Sequence, residues 1–241
     1  MTAVRDGTPR RARARAATIE EIKRTALDLM REKGNLDVHF ADIARVMGLT
    51  PPALYRYFGD RDELLTALIT AAYDDLGGQV ARARDAVPVH DIGGRWLAAA
   101  QAYRQWAKQE PQQFSMILGL PVPGFVAPQA GPTTEAAERA LSQLSGLFVE
   151  AMARGRLHEP LIRDVDPAIA VCASESKEDL GVAIPAESFQ AMLHVWAALH
   201  GFASLEAYGH LNWMEPDARD ALFLAQVKLS ARASGIPVAQ D

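Results

Sequence analysis

The residues best equipped for chemistry lie close together near the N-terminus. Thr50, Pro51, Pro52 and Ala53 are followed at once by Tyr55, Arg56 and Tyr57, with Arg61 four residues further on. Phenol, hydroxyl and guanidinium groups at this density suit phosphate oxygens and base edges, and Pro and Ala suit a thymine methyl. The chemistry expected is recognition rather than catalysis. The sequence has no phosphate-cradling Gly-rich loop, no His-Glu-x-x-His, no paired-Cys motif and no Gly-x-Ser-x-Gly. Its histidines, His39, His90, His158, His194, His200 and His210, are scattered, and His194 and His200 stand six apart, off a common helix face. No metal, no cofactor and no enzyme activity are expected.

The elements that must position these residues can be read around them. Two short helices, Phe40–Met47 and Pro51–Phe58, flank a turn at Gly48–Thr50. Helices crossing steeply over so short a turn impose sizes: a small Ala44 at the crossing, Gly48 in the left-handed conformation, Leu49 plugging the gap. Ile43, Met47, Leu54 and Phe58 give a buried side. Thr50 is placed to cap and Pro51 to open the second helix. The reading is a helix-turn-helix, with a structural hairpin in a bundle as the bland alternative. In a helix-turn-helix the N-terminal edge of the second helix, here Thr50, Pro51, Pro52 and Ala53, reaches base edges in the major groove. Arg56 is open to a base, a phosphate or solvent. Arg45 and His39 can graze the backbone, and His39 can equally be a weak helix cap.

The run from Ala41 to Leu65, Ala-Asp-Ile-Ala-Arg-Val-Met-Gly-Leu-Thr-Pro-Pro-Ala-Leu-Tyr-Arg-Tyr-Phe-Gly-Asp-Arg-Asp-Glu-Leu-Leu, resembles the DNA-binding region of the tetracycline-repressor (TetR) family. Leu54, Tyr55, Tyr57 and Phe58 match its recognition helix, and Asp60–Leu64 match the cap and start of its fourth helix. The resemblance covers residues 18–70. It implies that Tyr55, Tyr57 and Arg61 are phosphate clamps and that the protein is a homodimer acting on double-stranded DNA. It further implies an all-helical C-terminal half holding a small-molecule effector and the dimer interface. This sequence departs from the pattern at His39, where a Thr or Ser cap is usual, and at Pro51 and Pro52, which replace polar or Gly residues.

The remaining chain also reads as helical. Residues 1–17 read as a flexible basic arm, free to meet a minor groove or phosphates, or to attract DNA nonspecifically. Thr18 is placed to cap a helix carrying Ile19, Ile22, Ala26, Leu29 and Met30, ended by Gly34. Asp60 caps a helix from 61 to 86. Further helices are expected at 91–109, 111–119, 133–154, 166–174, 186–211 and 216–234, with Pro111, Pro160, Pro167, Pro185 and Pro216 at or just before starts. The fold class is therefore all-α: a three-helix head at 18–60 and a helical effector-binding and dimerisation bundle at 61–241.

Charge is divided unevenly. Residues 1–61 hold 12 Lys+Arg against 8 Asp+Glu, a net of +4, whereas the rest holds 13 against 22, a net of −9. A basic end on an acidic body suits a nucleic-acid binder. No apolar run is long enough for a membrane helix, no secretory signal is evident and one Cys excludes an internal disulfide, so a cytoplasmic protein without membrane contact is expected. Cys172 reads as a small buried hydrophobe.

A second resemblance runs through Tyr103–Leu118 and Val195–Leu211, to a TetR subgroup with a Trp-x-x-x-His-Gly element, here Trp196, His200 and Gly201. Trp196 and His200 share a face, and Gly201, Leu205 and Gly209 repeat every four residues. Such a helix, with Leu222 and Leu229 of the last helix, suits a two-fold four-helix seam. Trp196 and His200 are open to interface, core or ligand. Effector-pocket walls are expected from Trp96, Tyr103, Trp106, Phe114, Met116, Ile117, Phe125, Phe148 and Met152, all of which can also fill ordinary cores. The implied function is repression at a palindromic operator, relieved by a mainly apolar effector. The 61–86 helix would act as a lever, and Pro88 with Gly93-Gly94 as its far hinge. A DNA-binding regulator without ligand control is the alternative.

Overall fold

The structure, a computed structural model, describes residues 8–119, 121–126, 128, 130–176 and 180–238. Its named helices are α1 (Thr8–Lys33), α2 (Phe40–Val46), α3 (Pro51–Leu54), α4 (Arg61–Asp85), α5 (Ile92–Gln109), α6 (Pro111–Leu118), α7 (Pro132–Ala153), α8 (Pro167–Glu175), α9 (Ala186–Ala207) and α10 (Pro216–Ala233). No strand occurs among the described residues. The chain divides into two compact units, Met1–Ala72 with Gln112–Thr134, and Tyr73–Pro111 with Glu135–Asp241. A boundary at 60/61 thus differs from the packing. The first turns of α4, all but the start of α6 and the loop after it group with the head.

In the first unit, the apolar stripe of α1 is buried at Ile22, Ala26, Leu29 and Met30, together with Phe40, Ile43, Ala44, Leu54, Phe58, Leu64, Leu65 and Leu68. Helical spacing on α1, α2 and α4 turns these side chains inward together. Gly48 has φ +66°, and behind it Leu49 N–H bonds the Ala44 carbonyl at 2.8 Å, closing α2 as a left-handed C-cap does. Asp60 Oδ1 accepts from Glu63 N–H at 2.8 Å and Glu63 Oε2 accepts from Gly59 N–H, a reciprocal cap on α4.

Four expectations for this unit are corrected. Helix α1 begins at Thr8, not Thr18, so the part of the arm within the described residues is helical. Its Arg/Ala run consists of strong helix formers, and Pro9 falls in the first turn, where no N–H is needed. Thr18 is therefore inside the helix, and its Oγ1 donates to the Ala14 carbonyl. Thr50 has the extended backbone of an N-cap but makes no side-chain cap bond. Pro51 and Pro52 have no N–H to offer it, and the Ala53 N–H already bonds the Thr50 carbonyl. Leu49 is exposed rather than a plug. The helical part of the second element stops at Leu54, and Tyr57 and Phe58 continue it only as turns onto the Leu54 carbonyl.

The second unit is built on α5, α9 and α10, which bury Trp96, Tyr103, Trp106, Val195, Leu199, Phe202, Phe223 and Val227. Gly77 lets α4 meet α7: a Cβ there would sit 3.0 Å from Ala140 Cα. Gly93 and Gly94 do not form a hinge. They lie in the first turn of α5, where Asp91 Oδ1 accepts from Gly94 N–H at 2.8 Å and Gly93 is buried against Pro237. Helix α9 ends at Ala207 rather than 211, because Gly209 at φ +79° turns the chain and His210 N–H caps the Leu205 carbonyl. Pro160 starts no helix. Its neighbours His158 and Leu161 donate instead to the Gly235 and Ala233 carbonyls at the end of α10. Cys172 is exposed on α8, not buried.

Candidate nucleic-acid interface and ligand cavity

The turn between α2 and α3 leaves Thr50, Pro51 and Pro52 exposed and Ala53 half-exposed, so the four form one accessible edge. The two prolines fix φ and present only ring carbons, so the hydrogen-bonding reach of this edge rests on Thr50 and the residues beyond it. Tyr55 is 57% exposed, its ring held 4.9 Å from Phe40. Arg56 is exposed and Tyr57 half-buried.

Arg15 braces this group from α1. Its Nη1 donates to the Arg56 carbonyl at 2.8 Å, and its guanidinium carbon lies 5.2 Å from the centre of the Tyr57 ring. Sequence reasoning missed this residue by treating 1–17 as an arm. The available signal was that Arg11 and Arg15 stand four apart, on one face of any helix.

Arg45 is exposed and bonds Asp42 at 2.6 Å, while Asp42 also accepts from Lys33 Nζ at 2.7 Å. The Lys33 hydrogen bond holds the Asp42 carboxyl below the usual carboxylate range, aided by the charges of Lys33 and Arg45. His39 precedes α2 without capping it; its Nε2 lies 3.0 Å from Asp37 Oδ2. Arg61 is half-buried. Its Nε donates to the Val38 carbonyl and its Nη1 to the Pro123 carbonyl, both at 3.3 Å, two bonds that the phosphate-clamp expectation did not include.

The second unit contains a cavity of about 210 Å³. Trp96 of α5, Leu144 and Phe148 of α7, and Met192, Trp196 and Leu199 of α9 form most of its wall, with Ser145 as a polar contributor. Trp96 and Phe148 meet edge to face at 6.0 Å. Trp196 meets Tyr103 edge-on at 5.7 Å and stacks on His200 at 5.4 Å with an 18° tilt. The Tyr103 hydroxyl and His200 Nδ1 are hydrogen-bonded at 3.0 Å. Burial pushes the Tyr103 phenol well above its ordinary range and the His200 imidazolium below, so both are neutral at pH 7.

The expected wall set is divided. Trp96 and Phe148 line the cavity, and Tyr103 stands directly behind Trp196. Trp106 faces elsewhere, its Nε1 donating to Asp75 Oδ2 at 2.8 Å. Met152 is half-buried on α7, off the cavity wall. Phe114, Met116, Ile117 and Phe125 belong to the first unit and do not join this wall. The expected interface set divides as well. Leu205, Leu222 and Leu229 face outward at 46%, 45% and 63% exposure, and Gly201 has open space where a Cβ would stand. Trp196 and His200 are half-buried against Tyr103, and Gly209 lies beyond the helix.

Comparison with known proteins finds matches to both parts of the chain. A family model described as "Bacterial regulatory proteins, tetR family" matches residues 22–68, and one described as "Tetracyclin repressor-like, C-terminal domain" matches residues 96–229. The chain belongs to the TetR family. Among its relatives is the HTH-type transcriptional regulator Rv1816 of Mycobacterium tuberculosis, 32% identical over 215 residues, which cover 87% of this chain and 91% of the relative. The crystal structure of regulatory protein SCO4313 is 32% identical, with a TM-score of 0.72 over 91% of this chain and 97% of that one. RolR in complex with resorcinol shares the fold at 17% identity and a TM-score of 0.52, over 95% and 98% of the two chains. This TetR-family protein is thus a helix-turn-helix transcriptional regulator, of a family that binds DNA and dimerises. No helix among the described residues is long and apolar enough to cross a membrane.

Proposed function

We propose that the protein is a homodimeric repressor whose hold on a palindromic operator is loosened by a small molecule bound in the second unit. The observation that carries this reading is one chain holding both an exposed helix-turn-helix edge, Thr50–Ala53, and an apolar cavity of about 210 Å³ walled by Trp96, Phe148 and Trp196. RolR, a protein of the same fold, has been solved with the ligand resorcinol, which supports such a use of the fold.

Thr50, Pro51, Pro52 and Ala53 meet base edges, and Tyr55, Tyr57 and Arg56 hold the flanking phosphates. Arg45 and His39 serve as outlying backbone contacts. Two copies pair through α9 and α10, where Leu205, Leu222 and Leu229 are exposed in the single chain and Gly201 admits a close helix. Helix α4 acts as the lever that carries the effect of ligand on the heads. Because binding is linked, a ligand that weakens DNA binding by a given factor is itself bound more weakly by the DNA complex, by the same factor.

The test is selection of bound DNA from a random pool, followed by anisotropy titration of the winning duplex with and without fractionated metabolites. A two-fold-symmetric sequence released by one fraction supports the reading. An unrepeated half-site, or affinity that no fraction changes, counts against it.

A further inference from the structure

The face of α1 that packs the head does not end with the head. Leu29, Ala26 and Ile22 are buried on it and Ile19 is half-buried, at steps of three and four residues. The same steps lead on to Arg15 and Arg11, both exposed. The apolar stripe of α1 thus becomes a basic one where the helix runs past the core of its unit.

Nothing in the helix itself calls for this charge. Arg11 and Arg15 stand four apart, where like charges repel. Arg10 and Arg11 fall in the first turn of α1, where the macrodipole disfavours cations. Residues 8–19 contain no acidic residue to offset them. No carboxylate among the described residues pairs with Arg10, Arg11 or Arg15. Arg15 is instead fixed on the recognition element, by the Arg56 carbonyl and the Tyr57 ring. Arg11 lies about 6 Å further along the same face, at roughly 1.5 Å per residue. An exposed guanidinium therefore stands one helical turn beyond the element that carries exposed Tyr55 and Arg56.

We propose that the first turns of α1 extend the DNA interface, with Arg11 contacting a backbone phosphate beyond those held next to the recognition edge. Duplex DNA is the partner because its phosphates supply the negative charge that the stripe lacks, and because the stripe is continuous, through Arg15, with the recognition element. A guanidinium on a phosphate carries no base information, so the extension adds affinity and register rather than sequence choice. The proposal rests on DNA binding by the head and is independent of any effector.

Anisotropy titrations over a range of salt concentrations, on the selected duplex lengthened to about 30 base pairs, test it with two variants. Arg11→Gln removes the charge and keeps the helix. Ala12→Pro keeps every charge but pushes Arg11 out of the helical conformation, while Pro suits position 12 as the first residue of a shortened α1. Each variant is expected to lower the salt slope by about one unit per head, with the order of preference among point-mutated duplexes unchanged and circular dichroism near wild type. Ethylation interference on the wild-type protein is expected to reveal an outer phosphate in each half-site that Arg11→Gln no longer needs. A wild-type slope in Arg11→Gln overturns the contact, while DNA binding by the wild-type protein keeps the role of the head apart from that failure. A slope lost in Arg11→Gln but kept in Ala12→Pro also overturns it, assigning the charge to a flexible arm. A changed order of preference would make Arg11 a reader of bases and overturn the phosphate assignment. Binding of the wild-type protein to no duplex overturns the extension and the head together.

Discussion

Arg104 on α5 holds Glu206 on α9 in a two-point bond, Nε to Oε2 at 2.5 Å and Nη2 to Oε1 at 2.6 Å, with both side chains 2% exposed. Asp220 of α10 also accepts from Nη2, and the guanidinium lies 4.6 Å from the Phe223 ring centre. One buried cation thus ties together the three helices on which the second unit is built. Removing one partner leaves a buried charge, so Arg104→Met or Glu206→Gln is expected to cost about 3–5 kcal/mol in denaturant unfolding. Replacing both by Met should recover most of that loss, since well-packed apolar residues substitute for buried pairs at little cost.

The same pair sets an acid limit. Burial pushes the Glu206 carboxyl up, but hydrogen bonds and charges from Arg104 and Lys108 outweigh it and hold the group below its ordinary 4.5. A lowered carboxyl stabilises the fold fully above the unfolded value, and that contribution fades as pH falls through the folded value. Unfolding measured from pH 6 downward, on about a half-unit grid, should show wild-type stability falling below about 4.5 and a flatter acid limb in Glu206→Gln.

Arg15 bonds the Arg56 carbonyl and lies against the Tyr57 ring, contacts that suit a supporting role for the recognition element. Arg15→Ala is expected to weaken binding by about two- to fivefold, the size of one exposed cation–π contact, equally on all sequences. Anisotropy on the selected duplex and on point-mutated duplexes measures this. A changed order of preference among them would sink the supporting role.

Arg61 spends Nε and Nη1 on the Val38 and Pro123 carbonyls. A phosphate clamp through charge would be rescued by Lys and would change the salt slope by about one unit on loss. A two-carbonyl tie needs the guanidinium fork. Arg61→Lys and Arg61→Ala are therefore both expected to lower the melting temperature, with salt slopes close to wild type. Rescue by Lys together with a reduced slope in Ala would restore the clamp.

Leu229 is 63% exposed on α10 in the single chain, so a charge there does not disturb the fold of one subunit. Leu229→Glu is expected to produce a folded monomer by sedimentation, with near-wild-type circular dichroism and operator binding weakened by more than about a hundredfold, as half-site binding loses its partner. A variant that stays dimeric would move the interface elsewhere.

The sequence alone determined the local features of this protein. Apolar spacing on α1, α4, α5 and α10, Gly48 after α2 and Asp60 before Glu63 act within a few residues, so the helices, the head and the TetR resemblance were legible from composition and order. Errors arose where a local signal met a competing partner. Thr50 looks like a cap until Pro52 is seen to lack the N–H it needs. Gly93-Gly94 looks like a hinge until Pro237, far along the chain, is found against it. Tertiary structure decided which aromatics share a cavity. Trp96, Trp106 and Phe114 are equally apolar in the sequence, but only packing directs Trp106 to Asp75, places Phe114 in the other unit and leaves Trp96 on the cavity wall. The pairing of Arg104 with Glu206, 102 residues apart, was invisible for the same reason: side-chain contacts across helices depend on rotation and crossing, which no single helix encodes.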